Sequence, residues 1–153
     1  LAEHGLIRVR KGGAVLTPKG GRVASRYGVE WRRFDDAKKY TIGPINIIFH
    51  LQGGAFEITD GIAQRDHAIM MGALGATTIV IRDGELWIGD MCLDKSDPSF
   101  SRGLKDLFEL RDNDALIIGC ADTEDKAFIG GLYASYITLR AHEYFRKLHE
   151  ISS

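Results

Sequence analysis

The stretch from residue 59 to residue 78 holds the densest group of side chains that could do chemistry. It places Asp60, Arg65, Asp66 and His67 on a predicted helix that is flanked by glycines. The guanidinium of Arg65 could hold an anionic effector through paired N–H groups, while Asp66 or His67 orients that ligand. The alternative is an exposed helix face, on which a local Arg65–Asp66 contact contributes well under ~1 kcal/mol to stability.

The same residues allow a different chemistry. Asp66 and His67, together with Asp122, could carry out acid–base catalysis in a small α+β enzyme if they meet in one cleft with perturbed pKa values. Asp122 precedes a predicted helix, however, and a capping acid is its simpler role. The chain has no nucleophile-elbow, phosphate-loop or dinucleotide-binding motif. We therefore predict that the chain is not an enzyme and that it carries no cofactor.

His50 and the two cysteines are weaker candidates. His50 lies in an apolar run, where strand alternation places it on the face opposite Phe49 and predicts a core or sheet-surface histidine with its hydrogen bonds made. Cys92 and Cys120 have neither a CxxC partner nor a histidine at short spacing, so we predict no metal site. Two cysteines are too few for a disulfide framework, which favours reduced thiols in a cytoplasmic protein.

Charge divides the chain into two parts. Residues 1–33 carry eight Lys or Arg against two acidic side chains, a net charge of +6, whereas the remaining residues carry twelve against nineteen, a net charge of −7. A basic end on an acidic body predicts different partners for the two parts, and a positive field of this kind can bind phosphates. The alternative is a solvated basic hairpin.

The elements that position the basic residues are a hairpin and a short helix. Residues 5–16 alternate apolar and basic side chains around a Lys-Gly-Gly turn, which predicts two strands. Thr17 then takes the N-cap position and Pro18 the first position of a helix over residues 18–27, which Gly28 ends. Residues 28–43 are mixed and polar, and we interpret them as a connector that packs in places.

From residue 44 the pattern predicts the order β-α-β-β-α-β-α. Split βαβ units in this order commonly form a ferredoxin-like sandwich, an antiparallel sheet with helices on one face. The long final helix is not part of this sandwich, and it either covers the sheet or contacts a second subunit. Its narrow apolar seam consists of Ala134, Ile137, Ala141, Tyr144 and Leu148. Gly130 and Gly131 lie inside this helix and lower its stability by roughly 1–2 kcal/mol relative to alanine. Their presence therefore needs a reason, which is either the close approach of another backbone or of a ligand, or a kink in the helix.

Residues 3–24 resemble the end of a winged-helix domain, where a recognition helix leads into a two-stranded wing and a Leu-Thr-x-x-Gly helix start. The matching pieces are Leu1, Gly5-Leu6-Ile7, Gly12-Gly13 and Leu16-Thr17-Pro18-Lys19-Gly20. The whole chain resembles archaeal transcriptional regulators with this N-terminal module and a C-terminal α+β sensor domain. The chain begins inside what would be the recognition helix, so we expect a fragment of a longer protein.

The resemblance implies three parts: residues 1–28 are the C-terminal part of the winged helix, residues 29–43 the connector, and residues 44–153 the α+β sensor or dimerisation domain. The fold implied is α+β, a winged-helix remnant (wing hairpin plus helix) followed by the ferredoxin-like βαββαβ sandwich and the extra long C-terminal helix.

The function implied is that of a transcriptional regulator that binds double-stranded DNA. A wing carries basic side chains to phosphates or into the minor groove. The residues expected to contact DNA are Arg8, Arg10, Lys11, Lys19 and Arg22. We further expect a small-molecule effector and a homodimer, with a dimerisation module that binds no ligand as the alternative. No membrane partner is expected, because no apolar run approaches the roughly 18–20 residues that span a bilayer.

Overall fold

The computed structural model describes residues 7–10, 13–19, 22, 26 and 28–152. Here β1 (Ile7–Arg10) and β2 (Gly13–Leu16) form an antiparallel hairpin, which is a two-stranded sheet of its own. The two strands predicted for residues 5–16 are thereby confirmed. Helical backbone is found at Pro18, Lys19, Arg22 and Arg26, within the helix predicted for residues 18–27. The winged-helix resemblance also used Leu1, Gly5, Leu6, Gly12 and Gly20, which lie outside the described residues.

The rest of the chain forms a six-stranded sheet with helices, which confirms a mixed α+β fold. The strands are β3 (Glu30–Arg33), β4 (Ile45–Leu51), β5 (Gly75–Arg82), β6 (Glu85–Ile88), β7 (Met91–Cys92) and β8 (Ala115–Ala121). The α-helices are α1 (Ile62–Met70), α2 (Leu93–Ser96), α3 (Pro98–Leu107) and α4 (Glu124–Ser152), and the 3-10 helices are Asp35–Tyr40 and Gly54–Glu57. The order predicted from residue 44 is confirmed, with β7 and α2 as additions.

The strands of the sheet follow the order β3-β4-β8-β5-β6-β7, and every neighbouring pair is antiparallel. The central strand β8 is buried along its whole length because it lies between β4 and β5. Ile117 of β8 has Phe49 opposite it on one side and Thr78 on the other. β4 and β5 are therefore parallel to each other, and α1 joins them as the helix of a split βαβ unit.

Alternation along β4 sends neighbouring side chains into two separate cores. Phe49 and Leu51 pack in a cluster with Ala68 of α1 and with residues of α4, whereas Ile48 packs in a cluster with Phe100 and other residues of α3. Helices therefore cover both faces of the sheet. This arrangement corrects the predicted ferredoxin-like sandwich, which has helices on one face only.

The short strand β7 explains the difference from the predicted layout. It pairs antiparallel with β6, where Cys92 lies opposite Trp87, and so reverses the chain before α2 and α3. The connection that contains α3 consequently joins two antiparallel strands, β7 and β8. The right-handed crossover rule applies to parallel strands and does not fix the face that this connection covers. Two residues are too few to produce an alternation pattern, so the sequence did not predict β7.

The final helix, α4, lies against the sheet at very short range. A Cβ on Gly131 would lie 2.8 Å from Cδ2 of Phe49, and one on Gly119 of β8 would lie 2.9 Å from the Gly131 nitrogen. Of the explanations left open for the paired glycines, the structure shows close approach of another backbone. The glycines permit a helix–sheet distance that a side chain would prevent.

The face that α4 buries differs from the predicted apolar seam. Ala134 is buried as predicted, but Ile137 and Ala141 are only partly buried, and the side chains of Tyr144 and Leu148 lie outside the described part. The buried face instead includes Ser135 and Thr138, whose hydroxyls donate to the carbonyls four residues earlier at 2.7 and 2.8 Å. These internal hydrogen bonds let polar residues face the core, which an apolar pattern does not detect. The alternative in which α4 covers the sheet is confirmed.

Candidate functional site

The predicted effector residues on α1 do not converge. Asp60 lies two residues before the helix, and its Oδ1 accepts the N–H of Ile62, the first helical residue, at 3.0 Å. Nη2 of Arg65 lies 3.3 Å from Oδ1 of Asp66, with 52% and 59% of the two side chains exposed. A contact of this kind between adjacent residues forms without any ligand. The geometry therefore favours the exposed helix face over an effector site at these three residues.

His67 takes a different direction from Asp66. Its ring meets that of Tyr133 on α4 edge to face, with the ring centroids 5.8 Å apart. The Nδ1 atom of His67 is buried and has no hydrogen-bond partner among the described residues. Asp122 is exposed just before α4, and within the described part no hydrogen bond joins it to Asp66 or His67. The structure thus does not bring together the acid–base group considered from the sequence.

The predicted DNA-contacting residues are described in part. Arg8 on β1 is exposed, as are Lys19 and Arg22 on the helical segment that follows. None of these three side chains forms an ion pair with a residue that the structure describes. Arg10 has its backbone in β1 while its side chain lies outside the described part, and Lys11 lies outside it altogether.

Two other arginines of the basic part contact the acidic body instead. Arg26 forms an ion pair with Glu143 of α4. Arg33 on β3 contacts Asp35 at 2.9 Å and Glu124 at 3.2 Å, and its hydrogen bond to Asp35 raises the pKa of the guanidinium. These pairs neutralise two of the basic residues that adjoin the body, whereas Arg32 contacts the carbonyl of Trp31 and the ring of Phe108.

The strongest polar constellation of the body is a buried pair, His50 and Asp114. His50 lies on β4 and Asp114 immediately before β8, and their atoms Nε2 and Oδ2 are 2.8 Å apart. Only 3% and 6% of the two side chains are exposed. Asp114 also accepts the backbone N–H of Gly53 on Oδ1 at 2.9 Å and that of Arg111 on Oδ2 at 3.0 Å. The carboxylate therefore acts as an acceptor on both oxygens, and we assign the imidazole proton to Nε2.

The other ring nitrogen of His50, Nδ1, differs from Nε2 in its hydrogen bonding. Nδ1 is buried and has no hydrogen-bond partner among the described residues. With the proton on Nε2, Nδ1 carries a lone pair that can accept a hydrogen bond. The ring is held on its side by Phe108, with centroids 5.5 Å apart. A buried acceptor without a partner is uncommon in folded proteins, so this atom calls for an explanation.

A pocket of about 410 Å³ adjoins the His50–Asp114 pair. It lies at the end of the sheet where β4 ends, β8 begins and β3 begins. Its lining residues are Glu30, His50, Gln52, Gly53, Phe56, Glu109, Arg111, Asp112, Asn113 and Asp114. Four of these are carboxylates and one is an arginine, so the pocket is polar and predominantly acidic.

Sequence reasoning identified one half of this site. His50 is a buried histidine on the face opposite Phe49, as one of the two predicted alternatives has it, but the prediction that its hydrogen bonds are made is wrong for Nδ1 among the described residues. Asp114 follows Arg111, Asp112 and Asn113, a polar run that is typical of a turn and gave no sign of a buried acid. The available signal was the apolar run directly after Asp114, because an acid adjoining a buried strand is partly buried with it.

A second acidic cluster has its partners fully supplied by the protein. Asp97 caps α3 by accepting the N–H of Phe100 at 3.3 Å, and it contacts the Tyr40 hydroxyl at 2.6 Å and Nζ of Lys39 at 2.5 Å. Hydrogen bonds from Lys39 and then Tyr40 lower the pKa of Asp97 to about 2. The hydrogen bond to Asp97 raises the pKa of Tyr40 to about 12. This cluster holds α3 against the 3-10 helix and leaves no atom for a ligand to satisfy.

Comparison with known proteins adds a family and a fold. A family model described as a domain of unknown function, DUF4443, matches residues 42–139, which include the helix α1 and most of the pocket but not the basic hairpin. The solved structure of hypothetical protein PH0730 from Pyrococcus horikoshii OT3 has a similar fold, with a TM-score of 0.60 and 24% sequence identity over 92% of this chain and 73% of that one. No curated protein matches the chain.

In the part of the chain that the structure describes, no helix has the length and apolar character needed to cross a bilayer. No group of three or more His, Cys, Asp and Glu side chains there is arranged to hold a metal ion.

Proposed function

The chain belongs to the family described as domain of unknown function DUF4443, and we propose that it is part of a DNA-binding transcriptional regulator. The observation that carries the proposal is the placement of the basic hairpin, since β1 and β2 form a sheet separate from that of the body. β2 contacts α4, but the hairpin does not pair with the strands of the body, so it can present its basic side chains to a nucleic-acid backbone as a wing does. We interpret this hairpin and the helical residues after it as the end of a winged-helix domain.

The distribution of charge supports the same proposal. Residues 1–33 have a net charge of +6 and the rest of the chain −7, so a duplex is attracted to the hairpin end and repelled by the body. Arg8, Lys19 and Arg22 are exposed at that end. Arginine suits phosphate because its N–H groups match the phosphate oxygens in pairs. We propose that these residues contact the DNA backbone together with Arg10 and Lys11.

The body is proposed to bind a small-molecule effector and to form a homodimer. The dimer is supported by apolar side chains that are exposed on and around α1 and that a second copy of the chain would cover. These are Ile42, Ile62, Ile69, Met70 and Leu74. A dimerisation module without a ligand remains the second candidate, favoured by the same surface. The two differ in whether the body binds a small molecule.

A salt-dependent DNA titration tests the DNA-binding proposal. We expect this chain to bind a fluorescent random-sequence duplex, with a log–log salt slope of about −4 to −5 if all five proposed residues contact phosphates. Changing both Arg8 and Arg10 to alanine removes two phosphate contacts, which should reduce the slope to about −3. Fluorescence anisotropy at several salt concentrations measures both values.

The control is Arg102→Ala, which removes an equally exposed arginine from α3 in the body. It should leave affinity and slope unchanged. A double variant that keeps the original slope, or a control that lowers it as much, would show that the hairpin is not the DNA contact. The regulator proposal would then lose its main support.

A further inference from the structure

We propose that the pocket beside the His50–Asp114 pair is the effector site of the body, and that its ligand is a small amine. The proposal rests on the regulator function, because an effector supposes a regulator. Three features carry it. They are a buried imidazole with an unused acceptor atom, an excess of carboxylates around the pocket, and a glutamine that packs against the residue where the basic end joins the body.

The imidazole of His50 determines which hydrogen-bonding group the ligand must present. Nε2 of His50 is engaged by Asp114, whose two oxygens are in turn occupied by the N–H groups of Gly53 and Arg111. Asp114 therefore serves to hold the ring in one tautomer and orientation. Nδ1 is the acceptor that remains, and the His50 side chain that bears it lines the pocket. A ligand that satisfies this atom must donate an N–H or O–H group to it.

The surrounding charges favour a cationic donor. Glu30 lies directly opposite His50 on the neighbouring strand, so the two side chains are on the same face of the sheet. Glu109 also lines the pocket, and the guanidinium of Arg111 lies 3.4 Å from it. Asp112 is turned toward the β5–β6 turn, where it accepts the N–H of Gly84 at 2.8 Å. Arg32, on the same face of β3, is directed onto the Phe108 ring, with its Cζ 5.9 Å from the ring centroid. Glu30 itself forms no ion pair with a residue that the structure describes, so its carboxylate attracts an ammonium group and repels a carboxylate or phosphate.

The size and wall of the pocket agree with a compact amine. A volume of about 410 Å³ lies at the lower end of the range for small-molecule sites. Phe56 lines the pocket with 67% of its surface exposed, which is unusual for a large apolar residue. An aromatic ring beside a cationic ligand stabilises it through the negative face of the ring.

Gln52 connects this pocket with the basic end of the chain. Gln52 lines the pocket, and a Cβ on Gly28 would lie 3.2 Å from its side-chain Cδ. Gly28 has a φ of +66° and lies two residues before the start of β3, where the basic segment enters the body. A ligand that displaces Gln52 therefore acts on the backbone position that sets the direction of the basic end. This contact gives an effector a physical route to DNA binding.

Binding is tested on this chain, without DNA, by NMR of its histidine ring nitrogens. The probes are methylamine, butylamine and 1,4-diaminobutane, with butyrate as the anionic counterpart of butylamine. We expect at least one of the amines to shift the Nδ1 resonance of His50 in a saturable way, whereas butyrate leaves it unchanged.

Two pocket variants and a control locate the binding. His50→Gln retains an N–H donor for Asp114 but moves the acceptor from the Nδ1 position to the amide oxygen, so amine affinity measured by calorimetry should fall at least about tenfold. Glu30→Gln removes a surface charge and should weaken binding up to about fivefold. Asp66→Asn, a matched carboxylate-to-amide change on α1, should have no effect.

The results separate this proposal from the regulator function. Absence of a His50 shift with all three amines, an equal response to butyrate, or a loss of binding in Asp66→Asn with normal binding in His50→Gln would each overturn the amine site. If amines bind as expected but the hairpin arginines leave the DNA titration unchanged, the site stands and the regulator function falls. If the DNA titration gives the expected slopes but no amine binds, the regulator function stands and the amine site falls.

Discussion

Asp66 and His67 are neighbours in the sequence, whereas His50 and Asp114 are 64 residues apart, and it is the distant pair that is in contact. Adjacent residues of a helix point about 100° away from each other, so Asp66 turns to Arg65 while His67 turns to Tyr133. Adjacent strands of a sheet instead bring the end of β4 to the start of β8. A dense group of polar residues on one helix is therefore a weaker sign of a site than two residues that flank paired strands.

The largest expected effect of this difference is on stability. Asp114→Ala leaves three N–H groups without an acceptor, on His50, Gly53 and Arg111. Because such groups are costly when buried, we expect the free energy of unfolding to fall by about 3 kcal/mol or more. Urea denaturation followed by circular dichroism measures the loss, and Asp114→Asn, which keeps one acceptor oxygen, should lose less.

Asp66→Ala is the matched change at the exposed pair. It removes a carboxylate whose contact with Arg65 is solvated, so the free energy of unfolding should change by no more than about 0.5 kcal/mol. Equal losses in the two alanine variants would erase the distinction between the sites. They would also remove the reason for preferring the His50 pocket as the ligand site.

The same distinction shows how far the sequence could predict this molecule. Local sequence is sufficient for features such as the Asp97-Pro98 pair that begins α3 and the Asp83-Gly84 pair that forms the β5–β6 turn with positive φ at both residues. Those features depend on a few neighbouring residues. β3 was missed because its residues are polar and mostly exposed, as an edge strand permits. The pairing of His50 with Asp114 depends on the register of β4 with β8, and no local pattern carries that information.

A homodimer formed through α1 would remove the contrast between an exposed Arg65–Asp66 pair and a buried His50–Asp114 pair, because the dimer interface would exclude water from Arg65 and Asp66. Met70 on this helix is 70% exposed, so Met70→Glu should leave the fold of a single chain unchanged. In a dimer the added carboxylate would be buried without a partner, and the dissociation constant should rise at least about tenfold. Sedimentation equilibrium measures it.

Ser99→Glu is the control for the dimer, since it adds one carboxylate at an exposed position of α3 on the opposite face of the sheet. It should leave the dissociation constant unchanged. A chain that is monomeric at all concentrations, or one in which both substitutions act equally, would remove α1 as the interface. The Arg65–Asp66 pair would then stay exposed, as the comparison assumes.

Asp97 is intermediate in exposure between the buried Asp114 and the exposed Asp66. The smallest expected effect concerns this residue, and it is a dependence of the free energy of unfolding on pH. Asp97 has a pKa lowered from 3.8 to about 2 by its hydrogen bonds from Lys39 and Tyr40, so its contribution is present above pH 4 and is lost as the pH falls toward 2. Tyr40 has a pKa raised from 10.0 to about 12, so its contribution is present below pH 10 and is lost as the pH rises toward 12.

Asp97→Asn should flatten both ends of this profile at once, because it removes the carboxyl group that titrates in acid and also the carboxylate that raises the pKa of Tyr40. Asparagine caps a helix about as well as aspartate, so α3 itself should keep its start. The measurement is the difference in free energy of unfolding between the original chain and Asp97→Asn across the acid and alkaline ranges, with Asp66→Asn as the control that keeps both ends. A difference that is constant at every pH would mean that Asp97 is as solvated as Asp66. Burial alone, and not the presence of hydrogen-bond partners, would then separate the stabilising carboxylates of this fold from the others.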